Sequence, residues 1–404
     1  MKVLQVNKFF YVRGGSERYF FDLCGLLKDH GHDVAHFSMT HPRNQDSGQQ
    51  AHFVSEIDLN AAMGLGGRAR AALRVLYSSE ARARMAALLD EVRPDIVHFH
   101  NITRQLSPSI IDAVESRGIP MVQTMHDLSL VCPAHSFFVN GHACEKCAGG
   151  AYRNAAALKC IDGSLTSSLL GSFEAYLHTW MGLYKKIKMF IAPSLFLKGK
   201  VSSLGWIRDS IIHLPYFIPP GPDYTQANDG FVFFAGRISK EKGVDTLLEA
   251  AERLKSTRFV IAGEGPPLEA YRKLTRDKGL SNVEFTGYVK GDDLENLLRG
   301  SSCVVVPSVS YENLPLSILE AFAIGKPVVG SDHGGIPELV IDNVTGHLFR
   351  SGDAGSLASA IESTVADETK RLAMGRGARS MVSSDYSPQS HYEKMTGIYE
   401  DLLR

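Results

Sequence analysis

Short apolar segments alternate with longer amphipathic segments along the first half of the chain. The apolar segments predict strands, and the segments between them predict helices. The predicted strands cover residues 3–6, 33–38, 95–100, 120–125, 188–193 and 210–214, and the predicted helices cover residues 16–30, 66–92 and 108–117. Because helices separate the strands, this half predicts a parallel, doubly wound sheet.

The second half repeats this plan after a segment rich in proline and glycine, residues 219–223, which predicts a linker. The strands are expected at residues 231–236, 259–262, 283–285, 303–306 and 328–331, and the helices at residues 244–254, 267–278, 292–299 and 315–324. We therefore expect an α/β protein with two Rossmann-like domains, residues 1–218 and 229–387. Two such domains joined by a linker predict a ligand cleft where they face each other.

The composition narrows the class of protein. Of the 404 residues, 44% are hydrophobic and 22% are charged, and these ordinary values exclude a wholly disordered chain. The formal net charge of −1 gives nucleic-acid binding no support. The charge is uneven, since residues 1–228 contain 23 Lys and Arg against 19 Asp and Glu, whereas residues 229–404 contain 20 against 25. The first half is the better candidate for contact with an anionic surface.

The chain begins with a segment that predicts a buried strand rather than a signal peptide, and no uninterrupted apolar run is long enough to span a bilayer. We therefore expect a cytoplasmic protein. Residues 180–188 mix aromatic side chains with lysines, and the predicted helix 66–92 carries a basic face made of Arg68, Arg70, Arg74, Arg82 and Arg84. Two interpretations stay open here, namely peripheral binding to anionic lipid on the inner face of the membrane, and ordinary solvated helix faces.

Two glutamates follow the predicted strand 303–306. Glu312 lies in the loop after that strand, and Glu320 lies on the helix that begins near Pro315. Ligands bind at the carboxyl ends of the strands in open α/β sheets. Carboxylates accept hydrogen bonds from sugar hydroxyls, so the pair predicts a sugar-binding site, although two solvated acids would have the same spacing.

Two loops have the composition of phosphate sites. Arg237 and Lys242 lie in the loop 236–243, between a predicted strand and a predicted helix, where a helix N-terminus would add backbone N–H groups. Gly14 and Gly15 follow the first strand and would let the backbone approach an anion closely. Plain turns are the alternative interpretation of the glycine pair.

These motifs together resemble the GT-B glycosyltransferases of glycosyltransferase family 4, which have a Glu-x7-Glu motif like residues 312–320 and a Gly-Arg…Lys-Gly loop like residues 236–243. The resemblance implies a retaining, metal-independent enzyme that moves a sugar from a UDP- or GDP-sugar to a saccharide or lipid-linked acceptor, in polysaccharide or glycolipid assembly. It also implies that a last helix, residues 388–404, returns to the first domain. A sugar-nucleotide epimerase and a non-catalytic sugar-nucleotide-binding subunit are the alternatives.

The resemblance assigns expected roles to individual residues. Catalysis would use Glu312 and His126, the donor phosphates would meet Arg237, Lys242, Gly14 and Gly15, and the ribose and base would meet Glu320, Val289 and Gly263. The residues His100 and Asn101 stand at the tip of the predicted strand 95–100 and are expected to meet the acceptor. Gly334 and Gly335 open a further predicted helix, whose N–H groups could hold sugar hydroxyls or a phosphate.

Four cysteines lie close together in a loop-rich insertion, residues 128–161. They are Cys132, Cys144, Cys147 and Cys160, and the C-x2-C pair among them is typical of zinc sites. The sequence therefore predicts a structural zinc site, with four free thiols as the alternative. No Asp-x-Asp motif is present, so no catalytic metal is expected.

Overall fold

The computed structural model describes residues 1–57, 64–204, 206–219 and 223–404, without the side chains of residues 65, 68 and 69. The described residues form two compact units. The first unit comprises residues 1–137, 145–215 and 391–404, and the second comprises residues 138–144 and 216–390. Most of the proline-rich part of the predicted linker, residues 220–222, lies outside the described residues.

The first unit is built on a six-stranded parallel sheet with the order β2-β1-β3-β4-β7-β8. Its central strands are buried on both faces, because helices cover a parallel sheet from both sides. The strands in the first part of the chain are β1 (Lys2–Val6), β2 (Asp33–Phe37), β3 (Ile96–Phe99), β4 (Met121–Thr124), the short hairpin β5 (Phe138–Val139) and β6 (His142–Ala143), β7 (Met189–Ala192) and β8 (Ile211–His213). The helices in the same part are α1 (Gly15–Asp29), α2 (Leu65–Leu76), α3 (Ser79–Val92), α4 (Ser109–Glu115), α5 (Arg153–Ala157), α6 (Leu165–Trp180) and α7 (Leu195–Ser202).

The second unit contains a six-stranded parallel sheet with the order β11-β10-β9-β12-β13-β14. Its strands are β9 (Phe231–Ala235), β10 (Arg258–Ala262), β11 (Val283–Gly287), β12 (Ser301–Val306), β13 (Val328–Ser331) and β14 (Gly346–Phe349). The remaining helices are α8 (Val244–Arg253), α9 (Leu268–Asp277), α10 (Gly291–Gly300), α11 (Leu316–Ala323), α12 (Ala354–Val365), α13 (Glu368–Asp385) and α14 (Pro388–Leu403). The predicted fold class, two Rossmann-like parallel sheets, is confirmed.

Both sheets reverse their strand order at one place. The chain runs outward from β1 to β2 and then returns to β3, and in the second unit it runs outward from β9 to β11 and then returns to β12. Crevices at such reversal points are the preferred ligand sites of open α/β sheets. The loops that follow β1, β3, β9 and β12 are therefore the places where a site is expected.

Several predicted elements differ from the observed ones. The single helix expected at residues 66–92 is two helices, α2 and α3, and the Ser78 side chain caps the second by accepting from the N–H of Ala81. Helix α1 begins at Gly15, one residue before the predicted start. Gly334 and Gly335 precede only a short 3₁₀ turn, Ile336–Glu338. Helices α6, α12 and α13 and strand β14 were not expected from the sequence pattern.

The last helix, α14, is attached to the first unit by polar contacts as well as by packing. The Tyr399 hydroxyl forms a hydrogen bond of 2.6 Å with Nδ1 of His98 on β3, and both residues are buried. The Tyr19 hydroxyl on α1 lies 3.0 Å from Nε2 of His391, whose Nδ1 donates to the carbonyl oxygen of Pro215. Buried tyrosine and histidine side chains whose polar atoms are hydrogen-bonded therefore fix this helix on the first unit.

The variant Tyr399→Phe tests this attachment. It leaves Nδ1 of the buried His98 without its hydrogen-bond partner, which is expected to cost about 1–3 kcal/mol of stability. Tyr392→Phe is the matched control, because Tyr392 lies on the same helix and its hydrogen bond to His32 is partly exposed, so we expect a loss below about 1 kcal/mol. Urea unfolding followed by circular dichroism measures both, and equal losses would contradict the assignment.

Candidate functional site

A partly buried ion pair joins the loops that follow β9 and β12. Nζ of Lys242 donates to Oε1 of Glu312 over 2.6 Å, and the Ser308 hydroxyl donates to the same oxygen over 2.6 Å. The Glu312 side chain is 15% exposed and that of Lys242 is 29% exposed. Two of the residues predicted for the donor site therefore meet directly at the strand-order reversal of the second sheet.

The surroundings of Glu312 favour its ionised form. Burial alone would raise the pKa of this carboxyl group, but the charge and hydrogen bond of Lys242, the Ser308 hydroxyl and the charge of Arg237 together lower it. Glu312 is therefore a carboxylate at neutral pH, with oxygen lone pairs that can accept hydrogen bonds.

A second cationic residue of this loop, Arg237, is more open to solvent. The Arg237 side chain is 65% exposed and donates to Oε1 of Glu241 over 3.0 Å. In the same loop, the buried Oγ of Ser239 has no hydrogen-bond partner within the described residues. A guanidinium group, an ammonium group and an unsatisfied hydroxyl within one short loop form a donor set that suits phosphate oxygens.

Backbone hydrogen bonds combine three neighbouring loops into one surface. The carbonyl oxygen of Glu241 accepts from the N–H groups of Val309 and Ser310, at 3.0 and 3.2 Å. The carbonyl oxygen of Glu312 accepts from the N–H of Gly335 over 2.8 Å. The loops after β9, β12 and β13 are thus held in a fixed relation, which preorganises the charged side chains that they carry.

Gly334 makes this arrangement possible. Its φ is +63°, and a Cβ atom at this position would lie 2.4 Å from the carbonyl oxygen of Glu312 and 2.7 Å from its nitrogen. Only glycine tolerates both the backbone conformation and the close approach. The main observed role of the Gly334–Gly335 pair is therefore to let the loop of Glu312 pack closely.

The residues predicted for the ribose and base lie on neighbouring elements of the same unit. Glu320 is on α11, about one turn after its first residue. Gly263 follows β10, where its N–H donates to the carbonyl oxygen of Gly287, and a Cβ atom there would lie 1.8 Å from the carbonyl oxygen of Gly236. Val289 follows β11, beside the exposed Tyr288. Gly263 thus has a packing reason to be glycine, and its contact with a ligand stays a prediction.

In the first unit, a chain of side-chain hydrogen bonds leads to His126, which follows β4. Nε2 of His126 lies 2.9 Å from Nδ1 of His100, and Nε2 of His100 lies 2.8 Å from Oε1 of Gln5. His100 is fully buried, and the two imidazole rings stack with centroids 5.2 Å apart. This hydrogen bond places His100 where it can position His126, and the acceptor contact expected of His100 stays a prediction.

The partners of these nitrogens assign the tautomers. Because Oε1 of Gln5 can only accept, Nε2 of His100 carries a proton and its Nδ1 accepts from Nε2 of His126. Burial lowers the pKa of His126 to about 4, with Asp127 acting in the opposite direction and Lys8 in the same one. His126 is therefore neutral at physiological pH, and its Nδ1 is an acceptor.

The other predicted residues of the first unit lie at the same edge of the sheet. Gly14 and Gly15 are exposed at the start of α1, the first helix after β1. The N–H of Asn101 donates to Oδ1 of Asn7, and the N–H of Lys8 donates to the carbonyl oxygen of Asn101. The backbone of Asn101 thus joins the loops after β1 and β3, while an acceptor contact by its side chain stays a prediction.

Two family models match the chain. The model described as "Glycosyl transferase 4-like domain" matches residues 14–165, and the model described as "Glycosyl transferases group 1" matches residues 224–381. The chain belongs to the GT-B glycosyltransferases of the family 4 type.

Known relatives of this glycosyltransferase differ in how much of the chain they match. The alpha-D-kanosaminyltransferase of Streptomyces kanamyceticus is 32% identical over 42% of this chain and 45% of its own length, so the match spans less than half of that relative. The glycogen synthase of Mycobacterium tuberculosis (strain ATCC 25618 / H37Rv) is 26% identical over 99% of this chain and 94% of its own length. The crystal structure of Anabaena Alr3699/HepE in complex with UDP and glucose has a TM-score of 0.69 and 18% identity over 99% of both chains, which shows a shared fold.

Sequence reasoning missed two hydroxyl groups of the candidate site, Ser239 and Ser308. Both lie within a few residues of a strand's carboxyl end, so the rule that pointed to Glu312 could have found them. It also missed the role of Gln5, because a polar residue inside a buried strand gives no sign of which neighbour it will meet.

The four cysteines of the insertion do not assemble into the predicted zinc site in this structure. Among the described residues, no three Cys, His, Asp or Glu side chains are arranged so that they could hold a metal ion. Cys147 packs with Tyr152 and Ala155 in a small apolar cluster that Cys160 also touches. Burial raises the pKa of the Cys132 thiol, although backbone N–H groups from Ala134 to Phe137 act in the opposite direction. These thiols behave as small packing residues.

The insertion and helix α6 enclose a cavity of about 50 Å³ inside the first unit. Its lining is polar and aromatic and includes Glu174 and His178 of α6, His135, and Tyr152, Tyr184 and Trp206. Glu174 is buried, and this burial raises the pKa of its carboxyl group to about 7, with the charges of Arg104 and Lys8 acting in the opposite direction. No helix in the described part of the chain combines the length and the apolar character needed to cross a membrane.

Gly334→Ala is expected to disturb the loop of Glu312. The added Cβ would collide with the Glu312 backbone, which cannot move without breaking its bond to Gly335. Gly279→Ala is the matched control, since Gly279 has a similar φ of +65° and nothing within 4 Å of its Cβ position. We expect Gly334→Ala to lose at least about 1 kcal/mol more stability than the control in thermal unfolding. Equal losses would contradict the close-packing role.

The raised pKa of Glu174 predicts a pH-dependent stability difference. Between its ordinary pKa of 4.5 and its folded value of about 7, the folded protein binds a proton that the unfolded chain releases, so the wild-type protein loses stability as the pH rises through this window. The Glu174→Gln variant cannot ionise at this position. Its melting temperature relative to that of the wild-type protein should therefore rise from about pH 5, inside this window, to about pH 8, above it. Glu284→Gln is the control for loss of an exposed carboxylate. A constant difference across these pH values would contradict the prediction.

Proposed function

We propose that this protein is a retaining glycosyltransferase that moves a sugar from a nucleoside-diphosphate sugar to a hydroxyl group of a saccharide or lipid-linked acceptor. The observation that carries the proposal is the Lys242–Glu312 pair, which is joined to Ser308 at the strand-order reversal of the second sheet. A UDP-sugar is the first donor to test, since the Anabaena structure of the same fold was solved with UDP and glucose, and a GDP-sugar is the second.

In this proposal, the second unit holds the donor. Arg237 and Lys242 bind the diphosphate, and the unsatisfied hydroxyl of Ser239 donates a further hydrogen bond to it. Gly14 and Gly15 at the start of α1 offer backbone N–H groups to the same phosphates. Glu320 accepts from the ribose hydroxyls, and the backbone near Gly263 and Val289 approaches the ribose and base.

The proposed reaction replaces one bond at the anomeric carbon by another on the same face of the sugar. The bond from the anomeric carbon to the phosphate oxygen breaks as the bond to the acceptor oxygen forms, and the acceptor proton passes to the departing phosphate. Negative charge grows on the diphosphate during this step. Arg237 and Lys242, held in place before the donor arrives, stabilise that charge electrostatically.

Glu312 and His126 orient and stabilise the donor sugar and do not act as nucleophiles. The carboxylate of Glu312 is ionised and accepts from sugar hydroxyls, and its charge stabilises positive charge at the anomeric carbon. His126 is neutral and accepts through Nδ1, because Nε2 is committed to His100. Both side chains are therefore acceptors, which suits a substrate rich in hydroxyl donors.

Calorimetric titration with UDP, GDP and their sugar conjugates tests the donor assignment, and mass spectrometry of mixtures with oligosaccharide acceptors tests transfer. The proposal expects one nucleotide class to bind and its sugar to appear on an acceptor with unchanged anomeric configuration. Conversion of the donor sugar in the absence of any acceptor would identify an epimerase. Absence of binding to every nucleoside diphosphate would overturn the proposal.

Glu312→Gln keeps the shape of the side chain and removes its charge. We expect kcat to fall on the order of 100-fold, as for loss of one preorganised electrostatic group, while nucleotide affinity changes far less because Arg237 and Lys242 remain. Glu284→Gln in the same unit, where Glu284 pairs with Arg258 at the surface, is the matched control and should keep wild-type turnover. Near-normal turnover of Glu312→Gln would refute its proposed role.

A further inference from the structure

Helix α6 has its polar and apolar faces reversed with respect to the usual arrangement in a folded protein. Its buried side chains are polar or small and include Ser168, Ser172, Glu174 and His178. Five of its exposed side chains are large and apolar, namely Leu165, Leu169, Phe173, Tyr176 and Trp180, and each is at least 41% exposed. Thr166 and Thr179 are exposed as well. The only charged residue of the helix, Glu174, therefore points inward, towards the cavity.

The five exposed residues, which we term the α6 stripe, form one continuous apolar surface. Their spacing of four, four, three and four residues places them on one face of the helix. The stripe runs over the full length of the helix, roughly 22 Å at the usual rise per residue. Trp180, at its end, is 84% exposed. Soluble proteins rarely leave a contiguous apolar surface of this kind uncovered, so the stripe indicates a binding surface.

The elements that pack against α6 carry a surplus of positive charge. These elements are α2, α5 and the 3₁₀ turn Leu183–Lys186, and none of them contains Asp or Glu. Their exposed cations include Arg70, Arg153 and Lys185, and none of these three forms an ion pair within the described residues. Lys159 and Lys188 are also exposed nearby in the sequence, against one exposed acid, Asp162. This surplus is local, because the whole chain has a net charge of −1.

We propose that the α6 stripe docks on an anionic lipid bilayer, with α6 lying in the plane of the membrane. A bilayer presents acyl chains directly beneath a layer of phosphate groups, so it can cover the apolar side chains and pair with the surrounding cations at the same time. Tyr176 and Trp180 are the residue types that favour the boundary between these two layers. An apolar groove of a protein would leave the cations unpaired, and an acidic polymer would leave the stripe uncovered. This inference does not depend on the proposed function.

Flotation with vesicles of phosphatidylcholine, with and without phosphatidylglycerol, tests the docking surface. The full chain is expected to bind the anionic vesicles, and added salt should weaken that binding. Phe173→Ser combined with Trp180→Ser should lower the partition coefficient about tenfold or more, because two large side chains no longer enter the bilayer. Ile341→Ser combined with Leu403→Ser is the matched control, since these apolar residues are similarly exposed elsewhere.

A second pair of substitutions separates the charge from the stripe. Arg153→Gln combined with Lys185→Gln should lower binding to anionic vesicles about tenfold or more, and should also reduce its dependence on salt. The chain contains only two tryptophans, so Trp206→Phe leaves Trp180 as the sole indole reporter. Its fluorescence should shift to shorter wavelength when anionic vesicles are added, because the indole enters a less polar environment.

Three outcomes would overturn the inference. The first is the absence of binding to anionic vesicles, and the second is equal binding by the stripe variant and the wild-type protein. The third is self-association of the wild-type protein in sedimentation experiments that is lost in the stripe variant. In that case a second copy of the chain would cover the stripe. Nucleotide titration of the same stripe variant distinguishes a loss of membrane binding from a loss of the proposed donor binding. The variant should retain wild-type nucleotide affinity, which also shows that it is folded.

Discussion

A partly buried carboxylate that stays ionised is the feature on which the candidate site depends. The Glu312 side chain is 15% exposed, and burial alone would raise the pKa of its carboxyl group. Lys242 and Ser308 reverse this effect by donating to the same oxygen. The pair can form because β9 and β12 are parallel neighbours, so the loops that follow them begin at the same edge of the sheet. The fold therefore provides the position, and the ion pair provides the charge state.

The same logic accounts for the supporting residues. A charged pair removed from water stabilises a protein only if its geometry is maintained, and loss of one partner is strongly destabilising. Glu241 and Gly335 fix the loops through backbone hydrogen bonds, and Gly334 lets them approach closely. In the first unit, Gln5 and His100 do the equivalent work for His126, whose tautomer they set through a chain of hydrogen bonds, while burial keeps the ring neutral. In both units, neighbours hold the side chain that is proposed to meet the sugar.

The sequence predicted the strands and the strand-end residues well for a physical reason. Strands of a parallel sheet that is covered on both faces are short, mostly apolar runs, so they stand out, and the polar residues directly after them mark the ligand edge. Glu312, Lys242 and Arg237 were found in this way. Helix α6 could not be interpreted in the same way, because its pattern shows two faces without showing which one is buried. The sequence could not show whether the four cysteines converge, because spacing along the chain does not fix distances in space.

The crystal structure of the protein with a bound nucleoside diphosphate tests the central claim most directly. We expect phosphate oxygens within hydrogen-bonding distance of Arg237 and Lys242, and the ribose hydroxyls within hydrogen-bonding distance of Glu320. A nucleotide bound elsewhere, with Lys242 still donating only to Glu312, would contradict the account.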